Sequence, residues 1–217
     1  MKTALSVLLI MLSTPGWFST ASAQPTYAER LGWPEGSRVL ILHVDDADMS
    51  AASNQGTIRA IEEGVANSFS VMMPTPWVPQ IFQYISENPD ADAGLNYYAR
   101  QLYRERAGEE SRLAGEALWE SGPPVLDDLH NMSYGWAREE KISRYVDAVR
   151  GLKPGVTMMI MHCTEPDAAF TLISNSGPSR FGDLEAMLSD ELAHALQEEK
   201  IILTTWRELH QRRRAIQ

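Results

Sequence analysis

Residues 38–50 read RVLILHVDDADMS. The run Arg38–Val44 is short, apolar and β-branched, which predicts a buried strand. It stops abruptly at Asp45-Asp46-Ala47-Asp48. Just beyond, Ser50 or Ser53 is placed to cap a helix whose Ile58, Ile61 and Val65 share one face. A buried strand, a polar turn and an amphipathic helix make the opening of an α/β unit, and the rest of the chain repeats it. Strands are predicted at Ser68–Met73, ended by Pro74 and Pro76, and at Asp92–Leu95, Val125–Leu129, Val156–Met161 and Ile201–Thr205. Helical spacing lies between them: Trp77 to Ile85, Arg100–Glu120, Glu139–Gly151, and a helix marked by Leu184, Met187, Leu188, Leu192 and Ala195. Alternating strands and helices imply an α/β fold with a mostly parallel, helix-covered sheet. About six strands fall short of an eight-stranded barrel.

The chain has 217 residues with a net charge of −10, which argues against a nucleic-acid or anionic-membrane surface. A single cysteine excludes an intramolecular disulfide framework and any zinc site built from several thiolates. Met1-Lys2, the apolar run 4–12 and Ala21-Ser22-Ala23 before Gln24 have the layout of a cleaved secretory signal peptide. Residues 1–23 are therefore read as an address, and 24–217 as a single α/β domain, periplasmic or secreted. No later apolar run is long enough to span a membrane. The sequence leaves the oligomeric state open.

Chemistry gathers at the predicted strand ends, where parallel α/β folds place their sites. Asp45 and Asp46 are neighbours on an extended chain and point different ways, so one can hold a metal while the other accepts a proton. The same residues also suit a solvated acidic turn. His162 follows the strand VTMMIM (156–161) and can act as an acid or a ligand, or serve as a core histidine. Asp128, His130 and Trp136, after another strand, are candidates for a substrate pocket, with a polar loop and core packing as the alternatives. Cys163 beside His162 makes a poor thiol–imidazole pair, since strand neighbours face opposite ways. No phosphate-binding glycine loop, G-x-S-x-G elbow or H-E-x-x-H is present.

Leu31-Gly32-Trp33-Pro34, HVDDADMS (43–50), SVMMPTPWVPQ (70–80), LKPGVT through His162, and IILTTWREL (201–209) together resemble the YdjC-like carbohydrate deacetylases. The resemblance covers about 31–95 and 118–212. It implies an incomplete (β/α)-barrel-like fold, a divalent metal (Mg or Zn), and removal of acetyl groups from amino sugars or related glycans. On the matching motifs, Asp45 becomes the general base, Asp46 a metal ligand and His162 the general acid. The chain departs from the family where a G-[VL]-H-L-T motif is expected, since Gly94-Leu95 is followed by Asn96-Tyr97-Tyr98. A middle segment with a D-S-H metal motif has no counterpart. Two metal-binding histidines are thus missing, and the expectation is an exported family member with impaired catalysis. A non-catalytic glycan-binding protein and a truncated non-functional product are the alternatives.

Overall fold

A computed structural model describes residues 24–73, 75–95 and 108–217. The signal-peptide segment 1–23 and most of the charged stretch 97–108 lie outside the described residues. Among the described residues there are six strands: β1 Arg38–Ala47, β2 Ser68–Val71, β3 Ala93–Leu95, β4 Asp128–His130, β5 Gly155–Met161 and β6 Ile202–Leu203. Every pairing is parallel, in the order β3-β2-β1-β5-β4. The edge of β1 opposite β5 is shared. β6 pairs with its first half at Val39 and Leu40, and β2 pairs with its second half from His43 onward. Among the described residues β3 and β4 do not pair, and the architecture is the expected α/β one, a parallel sheet covered by helices.

The strand predicted at Val125–Leu129 starts later, at Asp128, because Asp127 is used elsewhere. Its carboxylate accepts from the backbone N–H groups of Tyr27, Ala28 and Val156 at 2.8, 3.2 and 2.7 Å. It thereby holds a short helix that the sequence reading passed over, α1 Tyr27–Arg30. That helix announces itself as Thr26-x-x-Glu29, and both hydrogen bonds of the capping box form. The remaining helices are α2 Ala51–Glu62, α3 Val78–Glu87, α4 Gly108–Ser121, α5 Lys141–Arg150, α6 Gly177–Met187, α7 Asp190–Glu198 and α8 Trp206–Ala215. The single helix expected around Leu184–Ala195 is two. Ser189 adopts an extended backbone and accepts from the N–H of Leu192 as a fresh N-cap.

Helices cover both faces of the sheet. Leu40, Leu42, Val44, Met159 and Met161 belong to one core with Tyr145, Val146 and Val149 of α5, Leu184 and Met187 of α6, and Leu192, Ala195 and Leu196 of α7. Val39, Ile41, Val156, Met158 and Ile160 alternate with them and form a second core with Ala28, Leu31, Trp33 and Leu209. The period of two along β1 and β5 therefore sorts the apolar residues between two helical layers. No helix among the described residues is long and apolar enough to cross a membrane.

Candidate functional site

β1 changes character at its end. Val44 is level with Phe69 and Ala47 with Val71, so Asp45 and Asp46 together face the single residue Ser70. This is a β-bulge, and Asp46 sits in it with φ of 62°. Asp48 follows at φ 79°. The left-handed region disfavours side chains in general, but aspartate tolerates it better than most. The bulge sends the two carboxylates to different partners. Asp45 accepts a hydrogen bond from the Ser70 hydroxyl on β2. Asp46 accepts from Nη2 of Arg180, 2.8 Å away on α6.

His162 leaves β5 at the same rim. Its Nε2 lies 3.8 Å from Oδ2 of Asp46. The edge of the Tyr134 ring meets its imidazole, with centroids 5.1 Å apart and planes at 84°. Burial holds the His162 pKa below its ordinary value and the neighbouring Arg180 adds to that, against the opposing pull of Asp46 and Asp45. The structure thus brings together three of the sequence-derived candidates, Asp45, Asp46 and His162.

Beneath the rim is a buried polar network. Asp183 accepts from Lys141 Nζ at 2.6 Å and Tyr145 Oη at 2.7 Å on one oxygen, and from the backbone N–H of His162 at 3.1 Å on the other. Lys141 also donates to the carbonyl of Ser133 at 2.7 Å, and the Ser133 hydroxyl donates to that of Ile160. The loop after β5 and the loop after β4 are therefore pinned to each other through α5 and α6. His43, one face-repeat before Asp45, bonds through Nδ1 to the Ser68 hydroxyl at 2.9 Å. Burial lowers its pKa to about 4, outweighing the attraction of Asp45 and Asp92. Asp48 is fully buried, and burial raises its pKa against the opposing effect of a hydrogen bond with the Asn54 side chain.

The other candidates stand apart. Asp128 is exposed at the start of β4, level with Thr157, which pairs through the sheet with Leu40 rather than with the rim. Its carboxylate accepts from the next residue's N–H. His130 and Trp136 meet edge to face, and Trp136, partly buried, in turn meets Tyr145 of the first core. Asn96 lies outside the described residues. Cys163 is buried, and burial pushes its thiol pKa well up, away from nucleophile chemistry.

Arg180 and Asp183 were not anticipated. Their signal was present: in α6 they fall at i and i+3 with Leu184 and Met187 at i+4 and i+7, putting two charges on the buried face of a helix. Lys141 and Tyr145 carry the same signal on α5.

Comparison with known proteins bears on this geometry. Residues 39–97, which contain the bulge, both carboxylates, β2 and β3, match the family model of the YdjC-like protein. This stretch is therefore similar to the YdjC-like family, over about a quarter of the chain. A crystal structure from Enterococcus faecalis V583, of a candidate cellobiose-phosphate cleavage protein, is similar over 80% of this chain and 99% of its own. The identity is 14% and the TM-score 0.59, so the likeness is one of fold. No curated protein matches the sequence.

YdjC-like proteins are metal-dependent as a family, and the described residues do not fit that metal. No group of three or more His, Cys, Asp or Glu among them is placed to hold an ion. Zinc takes three or four protein ligands even in catalytic sites. The oxygen of Asp46 that faces His162 is engaged by a guanidinium. A ligating histidine ordinarily donates its second ring N–H to an orienting acceptor, yet Nδ1 of His162 is buried without a hydrogen-bond partner among the described residues.

Proposed function

We propose that this is an exported protein of the carbohydrate deacetylase type that recognises acetylated saccharides at the rim of β1 and β5 and hydrolyses them poorly. The observation that carries this reading is the Asp46–Arg180 pair set beside Asp45 and His162. Asp45 keeps an acceptor at the end of β1, fixed by Ser70, and can take a proton from water or from a sugar hydroxyl. A predominantly neutral His162 can act as donor or acceptor toward an amide. Among the described residues the constellation does not include the set of metal ligands that would polarise the acetyl carbonyl. Binding groups therefore survive better than the groups for turnover.

Tyr134 presents a half-exposed ring beside His162, a platform for the apolar face of a pyranose. The Enterococcus neighbour's description concerns a disaccharide phosphate, which agrees with a sugar ligand. The signal-peptide layout of residues 1–23 supports export.

The test is calorimetric titration with oligomers of N-acetylglucosamine, alongside an assay for released acetate. Saccharide binding is expected, with Tyr134→Ala weakening it by roughly tenfold. Acetate release is expected to be slow and to disappear in Asp45→Asn. Absence of binding to any acetylated saccharide overturns the reading, and rapid release that survives Asp45→Asn overturns the role given to Asp45.

A further inference from the structure

We propose that Arg180 is the resident cation of this centre: its guanidinium holds Asp46 in place of a divalent metal and keeps such an ion out. The placement is a built one. Arg180 is 3% exposed, although it carries a full charge. Its Nε donates to the Ser176 hydroxyl at 3.0 Å and its Nη2 to Asp46 at 2.8 Å. Its Cζ lies 5.8 Å from the ring centroids of both Tyr134 and Phe170. Its backbone carbonyl accepts the N–H of Thr164, which ties α6 to the loop carrying His162. Ser176, Tyr134 and Phe170 thus fix the guanidinium against one carboxylate oxygen of Asp46.

The same oxygen and Nε2 of His162 are 3.8 Å apart, a gap one zinc ion can bridge with bonds of about 2.0–2.1 Å. The two donors are therefore within ion-bridging reach, and a fixed positive charge already occupies one of them. Like charges in a partly dehydrated site repel strongly, so a second cation is disfavoured while the first remains. Nη1 of Arg180 is buried with no hydrogen-bond partner among the described residues. The guanidinium thus retains a donor that no acceptor among the described residues uses. Neutralising residue 180 would remove the competing charge and expose a weak two-ligand site made by Asp46 and His162.

The inference concerns the centre assigned to saccharides but stands on the Asp46 geometry alone. The experiment titrates zinc ion into the untagged protein and its variants Asp46→Asn, Arg180→Gln and the double variant, with far-UV circular dichroism to confirm folding. The wild type is expected to take up no zinc that Asp46→Asn removes. Arg180→Gln is expected to gain one equivalent, bound at least tenfold more tightly than by the wild type, and the double variant to lose it. One equivalent in the wild type that disappears in Asp46→Asn overturns the proposal. So does a folded Arg180→Gln protein with no gain. If Arg180→Gln does not fold, Arg180→Met, which also removes the charge, takes its place with the same expected gain, and a folded Arg180→Met protein with no gain overturns the proposal, as does Asp46-dependent zinc in the wild type. Saccharide titrations with and without EDTA on the same samples separate the two readings: loss of saccharide binding with zinc still excluded removes the function and leaves the cation assignment.

Discussion

Lys141 and Asp183 form a fully buried ion pair, which is costly to desolvate and worse to break. Lys141→Met leaves the Asp183 carboxylate with only the Tyr145 hydroxyl and the His162 N–H. It is expected to cost about 3–5 kcal/mol in urea denaturation. A loss below 1 kcal/mol would show that water replaces the ammonium. His43 gives a pH signature. Its folded pKa of about 4 lies below the unfolded 6.5, so the unfolded chain binds more protons between those values. Its contribution is fully present above pH 6.5 and is lost as pH falls through 4, on the order of 3 kcal/mol in all. His43→Asn should flatten this part of the acid limb of stability against pH, and an unchanged limb would exclude burial of the neutral ring as its cause. Neither effect was legible in the sequence. Asp45, Asp46 and His162 could be found because strand-end position and residue type coincide locally. Arg180, Asp183 and Lys141 act through distance in space, and their only local trace is a charge on an apolar helix face.

Among the elements, the contact between α2 and the loop after β5 is the tightest that bears on the centre. A Cβ on Gly56 would lie 2.7 Å from Cα of Thr164 and 2.8 Å from the carbonyl oxygen of Cys163, both backbone atoms. Gly56→Ala must therefore push α2 and the His162 loop apart. The expected cost is about 1–3 kcal/mol, with saccharide affinity falling in the same variant. Equal stability and affinity would show slack in that contact. Element type was largely readable from periodicity, but boundaries were set by side chains whose partners lie far along the chain. Asp127 leaves β4 to cap α1, across 100 residues from Tyr27. The break at Ser189 was a local signal, serine followed by Asp190-Glu191, hidden because the apolar spacing runs on through it.

At the scale of the molecule, the alternation of β1 and β5 decided that helices must cover both faces, and the parallel order followed from the strand–helix repeat. The course of β6 did not, because a two-residue strand carries almost no pattern. Removing residues 201–217 takes away both β6 and Leu209 from the second core. The shortened protein is expected to bind a hydrophobic dye and to lose soluble yield, since it bares a strand edge and an apolar face together. Retention of a sharp, dye-free unfolding transition would show that the sheet does not need that segment. The pairing of β6 with β1 also carries a consequence in time. The ribosome makes the central strand well before its partner along Val39 and Leu40, with the rest of the sheet between them. The start of β1 therefore waits for β6 while the intervening strands and helices are made, and this pairing forms only after them. Long-range closure of this kind makes for slow folding, and it gives whatever handles the nascent chain a long interval in which to act.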